Sequence, residues 1–197
     1  MTAWRWAQVV GAVALLGLVA FGVSQGLERI FAPPATLTEA PAQPGAEAAS
    51  VGHITATLFY ATPDGQAITG VRREVPLASG PVAQGRAILI AQMEAAPEGY
   101  LSAIPPGTSL RGFYITSRQD AFVDLSPEAS TAHPGGSSAE LLTVYTLVNA
   151  VITNLPSVQR VQILIDGKEV DTLAGHIDLR RPLEQDLTLV RDSSSEP

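Results

Sequence analysis

Hydrophobic and polar positions along the chain predict pairs of strands that alternate with two helices. Near the start of this region Ile54, Leu58 and Tyr60 lie on one side of a two-residue alternation, which is typical of a half-buried strand. The predicted strands cover residues 54–60, 67–75, 110–116, 121–125, 161–165 and 169–173, and the predicted helices cover 81–94 and 137–155. This order favours an α+β domain, with a mixed or largely antiparallel sheet and two helices packed on it.

The second helix has the most regular pattern. Ser137 and Glu140 have the spacing of a capping box, in which each side chain binds the backbone N–H of the other residue. The apolar positions that follow share one arc of the helix and are Leu141, Val144, Tyr145, Val148, Val151, Ile152 and Leu155. Val148 lies in the middle of this arc and is predicted to be buried, whereas Asn149 is predicted to face outward or lie at the edge.

A separate apolar block near the N-terminus predicts a transmembrane helix. Residues 6–27 contain no Asp, Glu, Lys or Arg, and a helix of this length spans about 33 Å, enough for a hydrocarbon core of about 30 Å. Trp4 and Arg5 make residues 1–5 a predicted cytoplasmic stub, so the C-terminal domain is expected to be extracytoplasmic, in the periplasm or at the cell surface. The alternative is a cleaved signal peptide, since residues 24–26 offer small side chains for cleavage.

The rest of the chain divides into three predicted parts. Residues 28–52 are rich in Pro and Ala and have few large apolar side chains, so they are predicted to be a linker. Residues 53–191 are predicted to form the folded domain. The Ser-rich, acidic residues 192–197 are predicted to be a disordered tail.

Composition argues against several kinds of partner and site. The net charge is −7, Lys168 is the sole lysine and the arginines are scattered, so a nucleic-acid partner is not expected. The chain has no cysteine, which excludes a disulfide framework and lipid attachment through a Cys. His53, His133 and His176 stand apart without a second ligand at helical spacing, so no metal or other cofactor is expected.

Few residues suggest chemistry, and no catalytic site is expected. Asp124 is the acid to consider for a cell-wall hydrolase, which needs a second carboxylate nearby, but it could equally cap the turn that begins at Ser126. Exposed aromatic rings can stack on sugars, and the candidates for partner or glycan contacts are Tyr100, Phe113 and Tyr114. The alternative is that these rings close the core.

The pattern resembles the GerMN domain family of bacterial sporulation and spore-germination proteins. The motifs that carry the resemblance are Val123-Asp124-Leu125-Ser126, Gly136-Ser137 with Glu140-Leu141, the apolar helix through Val148 and Asn149, the strand and turn at 161–167, and the segments 173–179 and 181–183. The resemblance covers about residues 51–189 and is closest over 81–179. Two features depart from the family: one copy of the domain in place of two, and an apolar helix in place of a lipidated Cys.

The resemblance implies a non-catalytic, membrane-anchored envelope domain. The expected function is that of a scaffold or assembly module, which contacts another envelope protein or the cell wall. The alternative is a peptidoglycan-binding or glycan-binding module, and a third hypothesis is a cell-wall hydrolase that uses Asp124.

Overall fold

The computed structural model describes residues 52–191 of the 197-residue chain. The predicted stub at 1–5, the predicted transmembrane helix at 6–27, the linker up to residue 51 and the tail at 192–197 lie outside the described residues. Within 52–191, no helix is both long enough and apolar enough to cross a membrane.

Six strands and three helices make up the described part of the chain. In chain order they are β1 (His53–Ala61), β2 (Ile68–Pro76), α1 (Gly80–Gln92), β3 (Leu110–Ile115), β4 (Asp120–Leu125), α2 (Glu128–Thr131), α3 (Ser137–Asn154), β5 (Arg160–Ile165) and β6 (Lys168–Glu169). The predicted elements agree closely with these bounds, except that β6 is shorter than predicted and the short α2 was not predicted. The α+β class is therefore confirmed.

The strands form two sheets, whereas the sequence pattern predicts one. β1 and β2 form an antiparallel two-stranded sheet, and the other strands form a four-stranded sheet in the order β3-β4-β5-β6. The four-stranded sheet is mixed, because β4 and β5 are parallel while the outer pairs are antiparallel. A parallel pair needs a crossover connection, and here α2 and α3 provide it.

Helix α3 is buried over most of its surface, because it contacts β1, α1 and β5. Val148 is fully buried, as predicted. Asn149 is also fully buried, so the prediction that it faces outward is wrong. Its side chain accepts a hydrogen bond from Asp186 N at 3.1 Å and donates one to Asp186 O at 2.7 Å. A helix that is packed on several sides buries polar positions as well, provided that they find hydrogen-bond partners.

Two further carboxamides close the edge of β1 that points away from β2. Asn154 accepts a hydrogen bond from Thr57 N at 2.9 Å and donates one to Thr57 O at 2.7 Å. Gln92 makes the same two bonds with Phe59 N and O, at 2.8 and 2.7 Å. A carboxamide offers a donor and an acceptor as a peptide group does, so the two side chains take the place of a neighbouring strand. The small sheet therefore ends against the helices and does not join the larger one.

Candidate functional site

Tyr114 lies exposed on the outer face of the four-stranded sheet, where its ring rests on a glycine. Its residue exposure is 59%. A Cβ at Gly112 would lie 2.8 Å from both the Cε2 atom and the hydroxyl oxygen of Tyr114, so the phenol end of the ring occupies the space that a side chain at 112 would need. Phe122 of β4 is half-buried, pairs with Tyr114 of β3 and extends the same face of the sheet. Together Gly112, Tyr114 and Phe122 form what we call the aromatic sheet face.

A group of charged side chains borders the aromatic sheet face. The register between β3 and β4 shifts between Leu110 and Gly112, and such a bulge re-aims the side chain of the extra residue, Arg111. The Arg111 guanidinium lies 3.4 Å from a carboxylate oxygen of Asp124 and 3.1 Å from one of Asp166. Asp124 is the cross-strand partner of Gly112. The phenol of Tyr114 lies over Gly112 and therefore over the strand position opposite Asp124, a member of this charged cluster.

Asp124 holds a turn in place, but not the turn at Ser126 that the sequence suggests. Its Oδ1 accepts a hydrogen bond from Gly167 N at 2.7 Å, and its Oδ2 faces Arg111. Asp166 and Gly167 both have positive φ, 52° and 74°, as a two-residue turn between β5 and β6 requires. Asp124 thus fastens this turn to β4, and neither of its oxygens is without a partner.

The structure separates the three aromatic candidates. Phe113 is buried on the inner face of β3, where its ring fills the space beside Gly85 of α1. Tyr100 is half-buried, and its ring centroid lies 6.5 Å from that of Tyr60. Phe113 is therefore unavailable to a sugar, and Tyr114 is the most exposed ring of the three.

Helix α1 presents an apolar surface to solvent. Val82 is 40% exposed and Ile90 is 52% exposed, and Ala83 is exposed between them. At 100° per residue these positions share one arc with Ala87, and Arg86 is the charged residue within it. We call Val82, Ala83, Ala87 and Ile90 the α1 surface.

Glu140 is a fully buried carboxylate, and the predicted capping box is wrong. Gly136 holds the N-cap position of α3 and makes no side-chain cap. The Glu140 carboxylate instead accepts hydrogen bonds from Leu173 N at 2.7 Å and His176 N at 2.9 Å, in the segment that follows β6. Burial acts to raise the pKa of Glu140, but its backbone hydrogen bonds outweigh burial and hold the pKa below the ordinary value.

The Glu140 site could not be found from the sequence, because Glu140 and its partners are far apart along the chain. The Nδ1 atom of His176 lies 3.3 Å from the Glu140 carboxylate. Nearby, His133 Nδ1 accepts a hydrogen bond from Gly135 N at 3.0 Å, and its Nε2 lies 3.1 Å from Thr143 Oγ1. Among residues 52–191, no group of three or more acidic or histidine side chains has the geometry to hold a metal ion.

The fold and its exposed surfaces define a small α+β domain with two separate candidates for binding. The family model described as "Germane: Sporulation and spore germination" matches residues 57–171. The chain belongs to this family, which confirms the resemblance to GerMN domains. No curated protein matches the chain.

Solved structures are similar to the described domain. The tandem GerMN domains of the sporulation protein GerM from Bacillus subtilis align with a TM-score of 0.51 and 15% identity, over 69% of this chain and 46% of that one. The first GerMN domain of the same protein aligns with a TM-score of 0.48 and 16% identity, over 68% and 96% of the two chains. A putative lipoprotein from Clostridium perfringens aligns with a TM-score of 0.47 and 24% identity, over 68% and 89%.

Proposed function

We propose that this protein is a non-catalytic interaction module, which its N-terminal segment holds outside the cytoplasm and which docks onto another envelope protein. The α1 surface is the observation that carries the proposal. A single exposed apolar residue is ordinary, but several that share one helix face are typical of an interaction surface. The family to which the chain belongs carries the description "Sporulation and spore germination", and this supports a role in an envelope assembly.

The sequence supports the location of the module. The uncharged residues 6–27 have the length of a transmembrane helix, and residues 28–52 supply a Pro-rich spacer before β1. A domain attached in this way reaches partners near the membrane surface.

A scaffold role fits the acidic side chains better than hydrolysis does. A glycoside hydrolase needs one carboxylate as an acid and a second as a nucleophile or base across the scissile bond. Asp124 and Asp166 instead share Arg111, and Asp124 also holds the Gly167 amide. Glu140 is fully buried beneath backbone amides and does not reach solvent.

Site-specific photo-crosslinking tests the proposal in cells. A benzophenone amino acid is placed at Val82 or Ile90 in the full chain, and at Arg118 in the exposed turn between β3 and β4 as a control. We expect both α1 positions to capture the same protein, and the control not to capture it. Ile90→Lys should then remove the crosslink from position 82. Capture of the same protein from all three positions, or from none, would refute docking through α1.

A further inference from the structure

We infer that the outer face of the four-stranded sheet is a saccharide-binding site, centred on Tyr114 and bordered by Arg111 and Asp124. Its ligand class is an uncharged pyranose unit of a glycan chain. This site lies apart from the α1 surface: Phe113 packs toward α1, and neighbouring residues of a strand point to opposite faces, so Tyr114 faces the other side of β3.

The first argument is the combination of groups at the site. A pyranose has an apolar face of C–H groups and a rim of hydroxyls, so it needs a ring to stack on and donors and acceptors beside that ring. Tyr114 offers an exposed ring with a polar tip. Beside the ring, the Arg111 side chain is 46% exposed and offers N–H donors, and its ion pairs with Asp124 and Asp166 orient it. A few placed polar groups beside apolar surface are typical of small-ligand sites.

The second argument is that the ring is already held in position. Its phenol end occupies the space above Gly112, and a Cβ there would lie 3.0 Å or less from three ring or hydroxyl atoms. Binding then requires little ordering of the side chain, which favours affinity. A glycine in a strand weakens that strand unless a close approach needs it, and here the ring of Tyr114 makes the close approach.

The third argument concerns shape and charge. Phe122 continues the apolar floor beside Tyr114, and the next cross-strand residue, Gln162, is buried and donates a hydrogen bond to Leu179 O at 2.5 Å. The segment at Leu179 therefore bounds the aromatic sheet face on one side. Arg111 with Asp124 and Asp166 borders it at one end, and the ion pair of Arg160 with Asp120 borders it at the other, so carboxylates outnumber arginines by one. The chain also carries a net charge of −7, and both features disfavour anionic ligands. A neutral sugar fits this balance better than a phosphate or a nucleic acid does.

Titration of the purified full chain with saccharides tests the inference. Three ligands separate the possible sources of the sugar: N-acetylglucosamine oligosaccharides, glucose oligosaccharides and solubilised peptidoglycan strands. We expect saturable binding to at least one of them. Tyr114→Ala should weaken that binding by about tenfold, which corresponds to about 1.4 kcal/mol. Tyr114→Phe should retain part of the affinity, because the ring remains.

Gly112→Ala is the more specific variant, because it keeps every aromatic ring but displaces Tyr114. It should weaken binding as Tyr114→Ala does, while circular dichroism shows a folded chain. Ile90→Lys should leave saccharide binding unchanged, and Tyr114→Ala should leave crosslinking from Val82 unchanged, so this site and the proposed docking surface are tested separately. The inference is overturned if no saccharide binds, if an apolar peptide competes equally well, or if Tyr114→Ala binds like the wild type.

Discussion

Replacement of Glu140 by Gln should destabilise the domain strongly, although the two side chains have nearly the same shape. Glu140 is fully buried, and its two oxygens accept hydrogen bonds from Leu173 N and His176 N. The amides of Ala174 and Ile177 also point to this carboxylate and lower its pKa. A Gln side chain keeps one acceptor oxygen and turns an NH₂ group toward amides that are themselves donors.

The size of the effect follows from the number of donors that lose their acceptor. Each buried donor left without a partner costs about 1–3 kcal/mol. If one oxygen position serves two of the amides, Glu140→Gln should lower the free energy of unfolding by about 2–6 kcal/mol. The whole domain is expected to have only about 5–15 kcal/mol of stability. The variant should therefore be partly unfolded at room temperature or melt well below the wild type.

Urea unfolding of the full chain, followed by circular dichroism, measures this difference. The matched control is Glu98→Gln at an exposed position, where surface substitutions usually stay within about 0.5 kcal/mol. The lowered pKa of Glu140 adds a pH test. The ionised carboxylate contributes to the free energy of unfolding above the unfolded-state pKa of 4.5, and this contribution is lost as the pH falls through the folded-state pKa. Glu140→Gln should lack that part of the acid loss. Equal midpoints for Glu140→Gln and Glu98→Gln would refute the role assigned to this carboxylate.

Three further predictions concern other positions and use thermal melts of the full chain. Gly85→Ala should destabilise by about 1–3 kcal/mol, because its Cβ would lie 2.2 Å from Phe113; an unchanged melt would contradict the close packing of α1 on β3. Asn149→Asp should cost about 1–3 kcal/mol, because it removes the donor to Asp186 O, and normal stability would show that this bond is dispensable. Burial lowers the pKa of His133 below 6.5. The stability that the neutral imidazole contributes is therefore complete above about pH 6.5 and falls as the pH drops toward the folded-state pKa. A wild-type melting temperature that stays constant between about pH 7 and about pH 5.5, or one that falls equally in His133→Asn, would contradict this.

The elements of the fold could be predicted from the sequence because they depend on neighbouring residues. The alternation around Leu58 and the apolar arc around Val148 correspond to β1 and α3 in the structure. The division of the strands between two sheets could not be predicted, because Asn154 and Gln92 determine it from far along the chain. Periodicity describes which side of an element is apolar, but not how many neighbours that element has.

The same limit explains the polar residues that were assigned wrongly. Hydrophobic periodicity predicts the phase of α3 and places Asn149 outward or at the edge, and the capping-box spacing assigns Glu140 to the backbone at the start of the helix. Each is buried because a distant backbone segment supplies hydrogen-bond partners, and burial of a polar group depends on such partners. Asp124 is a partial exception: the sequence suggests that it caps the turn at Ser126, whereas the turn that it holds is the one at Gly167.

Strand β3 shows how one short segment can support both proposed activities. Phe113 points inward and fixes the position of α1, which carries the apolar surface proposed for a protein partner. Tyr114 points outward, next to the charged cluster proposed to bind a sugar. Because the two surfaces lie on opposite sides of one strand, a partner protein and a glycan can be bound at the same time without competing. Taken together, the two proposals describe a domain that holds a partner protein and a glycan at once, and loss of either surface should leave the other intact.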